Sequence, residues 1–266
     1  MGLGDWIMAT AQVARVHAVT GRPVLVVDVW GRPQWSEIFE GNPKIRRTGA
    51  GSGERLLNSP GWRPYIARKT PDRYHWQPWN IAPGEIFLSD DERAFGAAHG
   101  GRILIEPHTK ARTGNKAWAW ERWQALVDRG GDFVQAGPPG TVRLRGVEFV
   151  ETATFRQAAA VLSASRAFVG CEGGLHHAAA ALGVPAVVLF SEFIDPAITG
   201  YPMHRNLRHA GEACGSRRPC AGCVASMQAI SVDEVAQNLR SVLEDGTRRA
   251  WRRERRMHLV EPSFHI

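Results

Sequence analysis

Long apolar runs are missing from this chain, and none approaches the ~20 residues that a membrane-spanning helix requires. The N-terminus also lacks the basic-then-apolar form of a signal peptide, so the sequence reads as that of a cytoplasmic protein. Internal repeats and low-complexity segments are absent too, which excludes a repeat array. Cysteine is scarce, with four residues, and that excludes a disulfide framework as the basis of the fold. Net positive charge is scarce outside one segment. The formal charge is +7, but Thr247 to Arg256 holds six Arg and one Glu, a net +5, which leaves +2 for everything else. The basic balance is a property of the tail, and no nucleic-acid partner is expected. What the chain does have is 266 residues with 44% apolar content, enough to bury the core of one large or two small domains.

The most informative stretch runs from Ala167 to Phe190. Two apolar runs, Ala167-Phe-Val169 and Ala186-Val-Val-Leu-Phe190, read as buried strands. Between them lie Glu172, Gly173 and Gly174, then an Ala-rich segment of high helix propensity that ends at Gly183. Strand, tight turn, helix and strand make a βαβ unit with a right-handed crossover. Adjacent glycines at the mouth of such a helix let an anion approach free backbone N–H groups, where the helix dipole also favours negative charge. His177, in the helix's first turn, is aimed at the same spot. A tight turn with two ordinary polar histidines fits this spacing equally well.

Around that unit the pattern is α/β. Trp6 to Val16 has the spacing of an amphipathic helix, and Gly2-Leu-Gly-Asp5 resembles a turn at the end of a strand, with Met1 alone before it. The first strand is therefore expected to be absent or lost through a late start site. Pro23 to Val29 reads as a buried strand, and Gly31 to Ile45 as a loop with a short helix. Arg46 to Glu85, rich in Gly, Pro, Arg and Trp, reads as irregular. Strands are expected at Ile103 to Pro107, Phe133 to Gly137 and Val147 to Val150, and helices at Trp118 to Arg129 and Phe155 to Ser165. A loop-rich stretch follows Phe190, and a last helix starts at Ser231. This is the order of a doubly wound α/β domain, whose ligands bind at the carboxyl ends of the strands, where Thr109 and Lys110 lie.

Four segments taken in order resemble glycosyltransferase family 9, the heptosyltransferase-like enzymes of lipopolysaccharide core assembly. They are Gly2-Leu-Gly-Asp5, Asn115-Lys-Ala-Trp-Ala-Trp-Glu-Arg-Trp123, Glu172-Gly-Gly-Leu-His-His177 and Met227-Gln-Ala-Ile-Ser-Val-Asp-Glu-Val235. The resemblance implies an α/β protein with two Rossmann-like domains facing across a cleft (GT-B type). The N-terminal domain is reduced: an acceptor-side unit at 1–90, followed by a nucleotide-sugar-binding unit at 91–266. It further implies an inverting transfer that uses neither metal nor cofactor, in which a base deprotonates the acceptor hydroxyl while a nucleotide diphosphate departs. On that reading Asp5 is the base. Thr109, Lys110, Lys116, Glu172, Gly173, Gly174 and His177 hold the donor, an ADP-heptose-like nucleotide-sugar, and the acceptor is a glycan or glycolipid of lipopolysaccharide or surface-polysaccharide type. An acid at a helix start is also an ordinary cap, and a lysine there an ordinary solvated residue, so both retain a structural reading.

The chain departs from the family where the usual Asn-Asp-Ser-Gly is replaced by Cys171-Glu-Gly-Gly174 and where the N-terminal unit is short. Trp118, Trp120 and Trp123 are expected to pack a helix onto the sheet. His75, Trp76 and Trp79 either line an acceptor site or pack locally. Cys214, Cys220 and Cys223, spaced C-x5-C-x2-C with His204 and His209 upstream, fit either a structural Cys3His zinc site or reduced thiols. The arginines from Arg248 to Arg256 fit either a solvated helix end or peripheral contact with an anionic membrane surface. Two other function classes remain beside transfer: a nucleotide-sugar epimerase of the same architecture, and a non-catalytic sugar-nucleotide or lipid-surface binding protein.

Overall fold

The computed structural model describes residues 2–48, 53–110 and 114–258, with side chains as far as Asp245. Helix α1 (Leu3–Thr20) opens where the Asp5 carboxylate accepts the Gly2 N–H at 3.0 Å, and it stops at Gly21, whose left-handed φ of 66° directs its N–H to the His17 carbonyl. Three short parallel strands follow, β1 (Val24–Val27), β2 (Ile45–Arg46) and β3 (Arg55–Leu57), in the order β2-β1-β3. An antiparallel hairpin, β4 (Ile66–Lys69) and β5 (Tyr74–Trp76), comes next. The segment expected to be irregular therefore contains three strands of three or four residues. Strands this short carry too little alternation to be seen in a sequence.

The second half forms a six-stranded parallel sheet. Its elements in chain order are α2 (Asp90–Ala97), β6 (Ile103–Glu106), α3 (Trp120–Asp128), β7 (Phe133–Gly137), β8 (Glu148–Glu151), α4 (Phe155–Ser163), β9 (Ala167–Cys171), α5 (Gly174–Ala181), β10 (Ala186–Phe190), α6 (Pro196–Thr199), β11 (Arg205–Arg208), α7 (Ala221–Ala229) and α8 (Val232–His258). The strand order is β11-β10-β9-β6-β7-β8, so the chain starts in the middle, builds outward to one edge, then returns to build the other. Strands β9 and β10 are buried along their whole length, as the continuous apolar runs require.

Successive residues of one strand serve opposite faces. Leu104, Phe168, Val188 and Phe190 pack under α4 and α5, whereas Ile103, Ile105, Val187 and Leu189 pack under α3, α7 and α8. Trp123 is fully buried and Trp118 nearly so, with its indole N–H donating to the Ile230 carbonyl. Both indoles thus pack the helix on the sheet, as expected. The first core is continuous with the N-terminal region, since Trp6, Ile7, Ile38 and Phe39 belong to the same cluster as Phe168 and Phe190. Strand β11 and helix α7 lie in the stretch expected to be loop-rich. The backbone of α8 extends to His258, and the side chains of Arg248 to Arg256 lie outside the described residues.

Candidate active site at the switch point of the large sheet

The strands β6 and β9 are neighbours, and the chain leaves them in opposite directions across the sheet, which makes the gap beyond their carboxyl ends a topological switch point. Their register pairs Glu106 with Gly170, so the two strand ends are level. Beyond β6 come His108, Thr109 and Lys110; beyond β9 come Glu172, Gly173 and the start of α5.

Glu172 is the centre of the site. Burial pushes its carboxyl up, but the Lys116 ammonium, in direct ion-pair contact, and the rings of His177 and His176 outweigh that and hold it well below the usual carboxylate range. His177 Nε2 lies 3.5 Å from Glu172, and Nδ1 meets the Tyr201 hydroxyl at 2.9 Å. Burial raises that hydroxyl well above its ordinary range, so Tyr201 stays protonated, and the ring is held between this hydroxyl and the Glu172 carboxylate. His176 is buried with no hydrogen-bond partner on either nitrogen, and loss of hydration drives its pKa down, so it stands as a neutral ring among His177, Phe190 and Tyr201. Glu172, His176 and His177 bring potential ligand atoms within 4.8 Å of one another, but the Lys116 ammonium already neutralises the carboxylate there.

The two glycines of the turn differ. A Cβ on Gly173 would meet only the Cys171 carbonyl, at 3.8 Å, so its outer side is open. One on Gly174 would lie 3.2 Å from the Phe155 ring and 3.6 Å from Leu3, so its missing side chain lets α5 pack against α4 and α1. No side chain caps α5, and its first N–H groups remain available to an anion. Lys116 also sits over the Phe193 ring, 4.8 Å from its centroid. Thr109 and Lys110 stand past β6, and among the described residues no hydrogen bond or ion pair reaches their side chains; Lys110 is exposed.

Asp5 reaches this region from α1. Gly4, beside it, has no room for a side chain, because a Cβ there would fall 2.4 Å from His177 Cδ2. The Asp5 carboxylate accepts from the Tyr65 hydroxyl at 2.6 Å and pairs with Arg63 Nη1 at 2.9 Å, in addition to Gly2. Arg63 Nη2 is buried without a partner. Both Arg63 and Tyr65 were missed in the sequence, since the segment that holds them carries no recognisable motif. Burial and the Asp5 charge push the Tyr65 hydroxyl well above its ordinary value, so it remains a donor.

Glu106 was missed as well. Its side chain keeps some surface, yet its carboxyl is surrounded as densely as the interior, and the lost hydration raises it to about 7 against a pull from the His108 N–H. The signal was present as an acid ending an apolar strand. His75 pairs with Arg68, while Trp76 and Trp79 donate to the carbonyls of Phe193 and Ile198, so the indoles tie this segment to the second half of the chain.

The large sheet and the smaller parallel sheet together have the GT-B type of α/β fold. Residues 143–230, about a third of the chain, match the family model described as Glycosyltransferase family 9 (heptosyltransferase), which bears out the resemblance over the span that includes Glu172 to His177. A glycosyl transferase family 9 protein from Veillonella parvula superposes with a TM-score of 0.63 at 15% identity, covering 92% of this chain and 95% of that one. TibC from enterotoxigenic E. coli, described as an iron-containing dodecameric glycosyltransferase, gives 0.61 at 12% identity over 92% and 74%. The E. coli ADP-heptose lps heptosyltransferase II gives 0.48 at 19% over 64% of this chain, which spans 56% of that protein. No curated protein matches the sequence significantly.

Proposed function

We propose that the chain is an inverting, metal-independent glycosyltransferase that moves a heptose-like sugar from a nucleotide-sugar to a lipopolysaccharide-type or surface-polysaccharide acceptor. The observation that carries this reading is the Lys116–Glu172–His177 cluster beside an uncapped helix start at the switch point, within the span that matches family 9. A departing diphosphate accumulates negative charge and needs preorganised donors. The N–H groups at Gly173 and Gly174, the Lys116 ammonium and His177 supply them, with Thr109 and Lys110 at the neighbouring strand end. The donor is ADP-heptose-like, in keeping with the heptosyltransferase description of the family.

Asp5 takes the proton of the acceptor hydroxyl. The oxygen then forms its bond to the anomeric carbon as the carbon–oxygen bond to the diphosphate breaks, so one inversion occurs and the diphosphate carries off the electron pair. Arg63 and Tyr65 hold the Asp5 carboxylate in place. Residues 1–90 are the acceptor-side unit and 91–266 the donor unit. The enzyme works in the cytoplasm, with the arginines from Arg248 to Arg256 resting on the anionic membrane surface that presents the acceptor.

The test is calorimetric titration of the purified protein with ADP, UDP, GDP, CMP and their sugar conjugates, combined with a transfer assay. Expected are binding of an adenine nucleotide at least tenfold tighter than of the others, its loss in Lys116→Ala and His177→Ala, and loss of turnover with retained binding in Asp5→Asn. Binding without turnover in the wild type would favour the non-catalytic reading, and no nucleotide binding at all would end the transferase reading.

A further inference from the structure

Beyond the proposed reaction, the chain holds a second cluster of chemically potent side chains. Cys214, Cys220 and Cys223 come from the loop after β11 and from the first turn of α7, and their sulfur atoms all lie within 4.8 Å of one another. Cys214 Sγ is 3.8 Å from Cys220 Sγ and 3.4 Å from Cys223 Sγ. All three are free thiols. Two tetrahedral zinc-bound sulfurs, each about 2.3 Å from the metal, stand about 3.8 Å apart. The thiols are thus spaced as three corners of such a tetrahedron.

The surroundings are those of a built site. Cys223 is fully buried, and its described hydrogen-bond partner is another sulfur, at Cys214. The Ser216 N–H points at Cys214 Sγ at 3.5 Å, and Asn115 Oδ1 accepts the Cys220 N–H at 3.0 Å. Neither upstream histidine joins the group: His209 is bonded to Glu234, and His204 packs edge-on against His176 and Tyr201. Cys214 and Cys220 retain partial exposure, so the fourth corner faces solvent.

We propose that Cys214, Cys220 and Cys223 bind one thiophilic divalent cation of the zinc type as a tris-thiolate, with water in the fourth position. The loop so closed is a junction. Asn115 Nδ2 donates to the carbonyls of Ser216 and Arg218, the Gly215 carbonyl accepts from Tyr74, and Arg217 donates to Thr70 and Pro71. Cys214 N and Gly215 N donate to Glu192 and Phe193. The cation therefore braces the turn that presents Lys116 and the hairpin that carries Trp76, without touching the reacting atoms.

The full-length protein, purified under reducing conditions without chelator, is expected to contain one equivalent of zinc or iron by elemental mass spectrometry. Cobalt(II) added to the metal-stripped wild type gives thiolate-to-metal charge-transfer absorption and tetrahedral d–d bands that saturate at one equivalent. Cys214→Ser and Cys223→Ser lose both, and stripping the wild type lowers its melting midpoint by at least about 3 °C. Less than a tenth of an equivalent of metal together with no cobalt–thiolate band in the wild type would overturn the proposal, even if the serine variants fail to fold. A disulfide among the three, detected by mass under non-reducing conditions, would overturn it as well. None of these readouts depends on glycosyl transfer.

Discussion

The three-stranded sheet of the first sixty residues and the six-stranded sheet that follows are both parallel, yet they are held by different means. In the larger one, β9 and β10 are buried end to end and both faces are covered by helices. In the smaller region only β1 is fully buried, and β3 and β4 are mostly exposed or half-exposed. What secures that region is a set of cross-links to the other half. Arg156 of α4 reaches the carbonyls of Glu37, Glu40 and Phe87 and pairs with Glu92. Trp76 and Trp79 donate to Phe193 and Ile198. The Lys116–Glu172–His177 side of the candidate site is thus set by the carboxyl edge of the large sheet, and the Asp5 side by polar staples.

If staples hold the smaller region, removing the most connected one should have the largest effect. Arg156→Ala strips a buried guanidinium from Glu92 and three carbonyls, and a loss of about 3–5 kcal/mol in urea unfolding is expected. A loss under about 1 kcal/mol would erase the contrast. The large sheet contains a titratable flaw of its own in Glu106, raised from 4.5 to about 7. Between these values the folded chain keeps a proton that the unfolded chain has released. Stability therefore falls as pH rises through that window and is level above it. Glu106→Gln removes the dependence and should stabilise the protein at pH 8 by about 3 kcal/mol at most, with no gain at pH 4. Equal gains at both pH values would refute the assignment. The smallest effect belongs to the seam between the regions. Gly4→Ala forces a methyl against His177 and should cost about 2 kcal/mol by chemical denaturation. No change there would mean that α1 can draw away from α5 freely.

Most of the large sheet was legible in the sequence because its central strands are apolar runs punctuated by glycine, as at Ala167 to Phe190, whereas β11, with the polar sequence Arg205-Asn-Leu-Arg208, was not. In the smaller region only β1, an apolar run, was legible; β2 to β5 were not, because strands of two to four residues with mixed polarity leave no periodicity to read. Helix α2 announced itself through Ser89-Asp-Asp-Glu92, whose capping box the structure contains, but the signal sat in a stretch without apolar spacing. Of the site residues, Lys116 and His177 are both in contact with Glu172, and Thr109 and Lys110 lie at the adjacent strand end. Arg63 and Tyr65 escaped because only a long loop closure, 60 residues for Tyr65, brings them to Asp5.

The continuity of one apolar core beneath both regions has a consequence for modularity. Ile7 and Phe39 share a close-packed cluster with Phe168 and Phe190, and close packing tolerates few changes of volume. The first sixty residues are accordingly not an exchangeable cassette. A unit grafted in its place from a protein of the same fold would have to reproduce the side-chain shapes of this buried surface as well as whatever groups the graft is meant to bring.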